Sequence, residues 1–246
     1  MNKVYTEYPD APDIDSSTAD YAKRFSGSVG KWFLDVQSNG TSRLLSLTHT
    51  PSPVSVLDVG GGHGQNIPVL KDIGANITVQ GSVSECSALI QHYIDAGELS
   101  FVCAPMKRLP FEDNSFDVVL CYRQLAHVAD WPDLVDELVR VSRDLVIVDF
   151  ATKRSLNAVA DMFFGLKKSV ERNTRPFRLQ SFTEVSEAFD QSGAGVVGCM
   201  PQYFFPMALH RALKHVAISR RLEEVAGWLG LRKALGSPVL AAYKKR

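Results

Sequence analysis

The sequence has no excess of either charge: 27 lysines and arginines stand against 27 aspartates and glutamates in 246 residues. That balance removes the argument that the molecule as a whole binds nucleic acid. Cysteine is scarce. Cys86, Cys103, Cys121 and Cys199 form no C-x-x-C pair, and three of them sit in apolar strand-like or helical surroundings, which argues against a disulfide framework and against a zinc site. Free thiols point to a reducing cytoplasm. The N-terminus, Met-Asn-Lys-Val-Tyr-Thr-Glu, lacks a basic stretch followed by an apolar one, and no apolar run approaches the roughly 20 residues of a membrane span. A soluble cytoplasmic protein without a metal site is the expectation. There is also no internal repeat and no low-complexity segment. What is present is 45% apolar residues, enough for the core of one large α/β domain.

Taken in order, residues 1–18 carry Pro9, Pro12 and several aspartates without periodicity and read as an irregular leader. Tyr21 and Phe25, then Val29, Trp32, Phe33 and Val36, recur at helical spacing, with Gly27 and Gly30 expected to break the run in two. These helices could cover a site as a lid, or their aromatics could simply pack against the domain. Strands are expected at 54–59, 75–80 and 99–103, with a helix from Gly64 to Ile73 and another from Ser84 to Ala96 between them. This is a βαβαβ order, the mark of a parallel sheet with right-handed crossovers. Phe116–Cys121 and Leu145–Phe150 continue the strands around a helical stripe of Leu134, Val135, Leu138 and Val139. Leu156–Lys168 reads as a helix outside the alternation. Ser181-Phe-Thr-Glu184 is a capping box, Val196–Met200 a sixth strand, and Pro238–Tyr243 the last. Between those two strands lie two amphipathic stretches. From Met207 to Arg246 nine lysines and arginines face only Glu223 and Glu224, so the end of the chain is basic.

The stretch that organises the rest is Val56-Leu-Asp-Val-Gly-Gly-Gly-His-Gly-Gln65, a buried-strand pattern that turns on glycines into a helix. Such a turn lets a ligand approach the backbone and meet unpaired N–H groups. Gln65 stands where a dinucleotide fingerprint needs glycine or alanine, which leaves a nicotinamide dehydrogenase a distant third reading, and there is no Gly-Lys-Ser/Thr of a P-loop. Asp58-x-Gly60-x-Gly62-x-Gly64 instead resembles the first motif of class I S-adenosylmethionine-dependent methyltransferases. Leu109-Pro-Phe-Glu-Asp-Asn-Ser-Phe-Asp-Val-Val119, Leu125-Ala-His-Val-Ala-Asp130 and Glu137-Leu-Val-Arg-Val141 resemble later segments of the small-molecule branch of that superfamily. The resemblance is in register over residues 54–150 and looser to about 200.

It implies a doubly wound, seven-stranded, mostly parallel Rossmann-like α/β sheet, with a leader and helical lid over residues 1–50 and the α/β domain over 51–246, interrupted by a helical insertion at about 207–235. It implies S-adenosylmethionine as cofactor. Asp58 and the backbone of Gly60, Gly61, Gly62 and Gly64 would face its methionine part, and Gly81, Ser82, Met106 and Tyr122 would contribute to the remainder. Two departures stand out. The end of strand two should offer an acid to the ribose hydroxyls, yet Gln80, Gly81, Ser82, Val83 and Ser84 fill that window, leaving Ser82 or Gln80 as substitutes. Pro105 occupies the place of an acid for the adenine amino group, and it has no N–H to offer.

Arg123, His127 and Trp131 recur every four residues in the loop after strand four, so Arg123 and His127 are expected on one side of a helical turn, with Trp131 at the lip of the next helix. His127 is the candidate general base, and Arg123 or Gln124 would orient an oxygen-bearing acceptor. The other reading of His127 is a loop-filling residue. Tyr21, Arg24, Tyr5 and Tyr8 could close over the ligands, and Arg175 could anchor an anionic group. The function expected is methyl transfer, to oxygen or carbon, on a small acceptor of lipid-like or quinone-like character. The alternative is a non-catalytic methyltransferase-like binding or partner subunit. The basic insertion would then be a peripheral contact with membrane or lipid, or else a cap or homodimer face.

Overall fold

The structure, a computed structural model, describes residues 10–48, 53–156 and 177–246. Most of the helix expected at 156–168, together with Arg175, Tyr5 and Tyr8, falls outside the described residues.

The chain opens with two single-turn helices, α1 (Asp13–Ser16) and α2 (Ala19–Ala22), and a 3-10 turn at Lys23–Phe25, followed by the long α3 (Gly27–Leu45). Gly27 has φ +71° and turns the chain into α3, as its place in the sequence suggests. Gly30 does not break the helix. A Cβ there would lie 2.2 Å from the carbonyl carbon of Phe25, so this glycine lets the first turn of α3 fold back onto the preceding segment.

The sheet then builds from the inside out. After β1 (Ser55–Val59) come a 3-10 turn at Gly61–His63, α4 (Ile67–Asp72), β2 (Asn76–Gly81), α5 (Gln91–Asp95) and β3 (Leu99–Cys103). The single helix expected over 84–96 is split: Ser84–Ser87 forms a 3-10 turn in which the Ser87 hydroxyl donates to the Ser84 carbonyl at 2.8 Å. Serine side chains compete in this way for the bonds an α-helix would use. The chain returns through β4 (Phe116–Cys121), α6 (Trp131–Val141) and β5 (Ser142–Phe150). Trp131 and Pro132 open α6 as its first turn.

Beyond the undescribed stretch, α7 (Phe182–Gln191) starts at the reciprocal Ser181–Glu184 capping box read from the sequence. It leads to β6 (Ala194–Pro201), three helices, α8 (Met207–Leu213), α9 (Val216–Trp228) and α10 (Leu231–Leu235), and finally β7 (Val239–Lys245). The spatial order is β3-β2-β1-β4-β5-β7-β6, parallel except that β7 runs antiparallel to both its neighbours. Chain direction across the sheet reverses between β1 and β4. A crevice at such a switch point, outside the carboxyl ends of the strands, is where open α/β sheets bind ligands.

Both sheet faces are covered. One packs Leu57, Val59, Val119 and Val146 under Leu134, Val135, Leu138, Val185 and Phe189 of α6 and α7. The other packs Val56, Val79, Val118 and Ile147 under Ile67 and Leu70 of α4 and Leu44 and Leu45 of α3. The far end of α3 joins the insertion instead, with Val29, Trp32 and Phe33 around Tyr203. Among the described residues no helix is long and apolar enough to cross a membrane.

Gly30→Ala should therefore push the 23–25 turn off α3 and lower the unfolding free energy by about 1–3 kcal/mol, the usual range for forced overpacking. Asn39→Ala, exposed on the same helix, should be neutral or slightly stabilising in the same chemical-denaturation experiment.

Candidate functional site

At the carboxyl end of β1 the backbone turns at Gly60, whose φ of +68° lies in the left-handed region. Its N–H is shared between the Gln80 carbonyl at 3.1 Å and the Gln80 side-chain oxygen at 3.0 Å. Gln80 in turn donates from Nε2 to the Ala104 carbonyl at 2.5 Å. Its amide is therefore committed to tying the ends of β1, β2 and the segment after β3 together, and it is not a free acceptor for a ribose. At Gly62 a Cβ would lie 2.1 Å from the Cys86 carbonyl oxygen and 2.4 Å from Ser17 Oγ, so only glycine admits this close approach of the N-terminal segment.

Asp58 is buried at 1% exposure and receives the Asn66 amide on both oxygens, at 3.2 and 3.1 Å. Asn66 accepts from Gln37 at 3.4 Å, and Gln37 accepts from Arg123 Nη2 at 2.9 Å. A chain of side chains from β1, α4 and α3 thus connects a carboxylate to a guanidinium. Burial pushes the Asp58 carboxyl up to about 7, against the lowering effects of Asn66 and Arg123. Arg123 itself has φ +64°, outside any helical turn, and its N–H donates to Asp149 at the end of β5. The guanidinium lies over Phe25, 4.2 Å from the ring centroid, and 5.8 Å from that of Tyr21.

The turn after β4 therefore begins one residue later than its spacing suggests, with the Gln124 carbonyl accepting from His127 and Val128. His127 is half-buried with its ring 5.5 Å from that of Phe177, while Arg123 reaches the other way, to Gln37 and the aromatics of residues 21–25. The expected pairing of Arg123 and His127 on one side of a turn is replaced by this divergence, and the positive φ at Arg123 is its cause. Tyr122 and Met106, expected beside a cofactor, have core side chains. The Tyr122 hydroxyl is 2.8 Å from Thr41 Oγ1 of α3, and Met106 packs with Leu57, Val59 and Leu109. Only their backbones are available to a ligand. Gly81 is hemmed in by Cys86 and Phe101, and Ser82 gives both its N–H and its hydroxyl to Asp13.

Several residues of this cluster carried no signal in the sequence. Asp13 and Ser17 come from the aperiodic leader. Gln37 interrupts the apolar face of α3, and such a buried polar position is the sort of cue that could have singled it out. His63 sits edge-on to Tyr21 and Phe25, at 5.8 and 5.4 Å, and burial together with Arg123 lowers its pKa to about 4. Around the glycine turn Ser17 Oγ, both ring nitrogens of His63, Gln65 Oε1, Arg123 Nη1 and Gln124 Oε1 are buried without a protein oxygen or nitrogen partner. Such orphans are rare, and a cluster of them calls for an explanation such as a polar ligand.

Residues 57–146 match a family model described as a methyltransferase domain. A malonyl-[acyl-carrier protein] O-methyltransferase of Marinomonas sp. (strain MWYL1) is 29% identical over 164 residues, 63% of this chain and 61% of that protein. A demethylmenaquinone methyltransferase of Clavibacter sepedonicus is 32% identical over 154 residues, 54% of this chain and 62% of that protein. The chain thus spans about three-fifths of the length of these curated relatives. The structure of magnesium protoporphyrin IX methyltransferase from Synechocystis PCC 6803 with bound SAH covers 100% of both chains with a TM-score of 0.66 at 14% identity, a likeness of fold. The matched region is thus similar to methyltransferase domains, and the fold is that of class I S-adenosylmethionine-dependent methyltransferases. In this fold the glycine turn, Asp58 and the orphaned polar atoms lie together at the switch point between β1 and β4.

Two of the buried titrating groups, Asp58 and His63, pull in opposite directions, and Asp149, also raised by burial, acts in the same direction as Asp58. Asp58, raised from 3.8 to about 7, favours the fold at low pH, and that contribution is lost as pH rises from about 4 through 7. His63, lowered from 6.5 to about 4, favours the fold above pH 6.5, and its contribution is lost as pH falls from there through 4. Each is worth on the order of a few kcal/mol. Relative to the ligand-free wild type, Asp58→Asn should lose melting temperature progressively as pH falls from about 6.5 to about 4.5, because it lacks the Asp58 contribution that grows in that direction.

Proposed function

We propose that this chain transfers a methyl group from S-adenosylmethionine to a small, lipid-like or quinone-like acceptor. One observation carries the reading: the buried polar atoms without partners converge on the glycine turn of a chain whose residues 57–146 match a methyltransferase domain. When bound, the cofactor supplies a methyl group on an electron-poor sulfonium. The residues here suit its amino-acid end. Asp58 is a buried carboxylate whose ionised form gains from an adjacent ammonium, and Arg123, with Nη1 unpartnered, suits a carboxylate. Arg123 is on this account a cofactor residue rather than an orienter of the acceptor. The glycines let Gln124, Asp58 and Ser17 close in on the turn, and Met106 and Tyr122 lend only main chain.

On the acceptor side the chain needs to align a nucleophile, exclude water and, for a hydroxyl or an acidic carbon, take a proton. His127, half-buried against Phe177, is assigned that base role. The aromatics Tyr21 and Phe25, with Arg24 over the ring of Tyr21, form an apolar, cationic wall for the acceptor. A lipid-like acceptor is supported by an apolar groove of about 440 Å³ lined by Phe205, Ile218, Leu222, Val225 and Leu229. On α9 Trp228 is 85% exposed, Arg221 lines the groove, and Arg220, Arg232 and Lys233 are close to it in sequence. Apolar and basic surface together suit an anionic membrane. A non-catalytic binding subunit is the second reading, favoured by the absence of an acid at 80–84 and at 105.

Calorimetry separates the two. S-adenosylmethionine and S-adenosylhomocysteine should both give heat, and Asp58→Asn should weaken the former by roughly 10-fold to 100-fold, as expected for a lost charge-assisted bond. Silence with both at millimolar concentration would leave only the non-catalytic subunit. For the membrane contact, co-sedimentation with vesicles containing phosphatidylserine should be salt-sensitive and fall about tenfold in Trp228→Ala. Elution as a dimer that Trp228→Ala dissociates, without vesicle binding, would reassign the patch to self-association.

A further inference from the structure

We infer that Asp13 is the carboxylate that receives the ribose hydroxyls of the bound nucleoside, delivered from the N-terminal segment because β2 ends without an acid. The inference rests on the cofactor reading above. In a nucleotide-binding βαβ unit, an acid about 20 residues beyond the glycine turn, at the end of the second strand, accepts from the ribose. In this chain that distance from Gly62 falls on Ser82. The nearest acid in sequence, Glu85, is exposed and takes the Ser84 hydroxyl at 3.0 Å.

A carboxylate nevertheless stands at the end of β2. Asp13, from α1, is wholly buried, with Oδ1 2.7 Å from Ser82 Oγ and Oδ2 2.6 Å from Ser82 N. Cys86 Sγ adds a weak contact at 3.4 Å. All these partners are neutral, and among the described residues no cation pairs with Asp13. A buried carboxylate held by neutral donors has charge to offer a ligand. Its acceptor capacity is not exhausted either, because an ionised carboxylate has about four acceptor positions; at 0% exposure the α1 segment has to move aside for a ribose to reach it. Two are used by Ser82 and one by the feeble thiol donor. A vicinal diol needs two, one free and one taken over from the thiol.

Ser17 supplies an independent sign of a ligand. It is 3% exposed, its hydroxyl has only the Cys86 thiol to interact with and no oxygen or nitrogen partner, and it lies 2.4 Å from the Cβ position of Gly62. The same segment therefore brings a charged acceptor to the end of β2 and a weakly engaged hydroxyl to the glycine turn.

The rival role is a clasp that only fastens the segment to Ser82. Calorimetry with S-adenosylhomocysteine and its 2′-deoxyribose analogue distinguishes the two on wild type, Asp13→Asn and Ser82→Ala. Asp13→Asn should weaken S-adenosylhomocysteine tenfold or more and leave the deoxy analogue much less affected, so that the preference for the hydroxyl collapses. Ser82→Ala, which loosens the clasp and keeps the carboxylate, should retain that preference. Equal loss for both ligands in Asp13→Asn, or no loss, overturns the assignment while the cofactor reading survives. A wild type that binds neither ligand removes the cofactor reading, and this inference with it. Melting of the ligand-free variants reports whether each is folded.

Discussion

A carboxylate placed in the core at the end of β1 constrains everything built around it. Asp58 cannot remain buried alone, because an unsolvated charge is far more expensive than an unsolvated amide. The fold answers by extending a relay from Asn66 through Gln37 to Arg123, which draws α4, α3 and the loop after β4 to one point. That requirement accounts for a polar residue on the inner face of α3 and for an arginine held at positive φ. It also accounts for the short loop between β1 and α4, since Asn66 stands only eight residues beyond Asp58. The raised pKa of Asp58 shows that the relay only partly offsets burial.

The scaffold was readable because its physics is local. Strands buried on both faces write themselves as continuous apolar runs, and Gly74 and Gly97 end helical segments at positive φ. The glycine turn and the capping box are equally local. What sequence could not convey is the direction a side chain takes once strands are paired. Tyr122 and Arg123 are neighbours, yet one hydroxyl lies on Thr41 in the core and the other guanidinium lies over Phe25. Spacing by four suggested that Arg123 and His127 share a face, but this assumes helical backbone, and a single residue at φ +64° breaks the assumption.

The leader was opaque for a different reason. Asp13 meets Ser82 across 69 residues, and a four-residue helix has no periodicity with which to announce its buried side. The contact is recognisable only after β2 has been placed. The missing acid at 80–84 was visible as a gap in the sequence, whereas the residue standing beside the gap was not.

The helix α3 joins these regions mechanically. Its first half packs Trp32 and Phe33 on Tyr203 and His210, where the buried Glu223 accepts from the N–H groups of Phe204 and Phe205 and contacts His210 Nε2 at 3.0 Å. Its middle presents Gln37 to the Asp58 relay, and its second half fixes Tyr122 through Thr41 and packs Leu44 and Leu45 on the sheet. The C-terminal insertion therefore does not hang from β6 and β7 alone. It is braced against the same helix that orients Arg123, and a well-packed aromatic cluster transmits displacement rather than absorbing it. The insertion and the glycine turn thus share one helix as their support: Glu223 and the Tyr203 cluster hold its first half, and Gln37 at its middle holds the Asp58 relay.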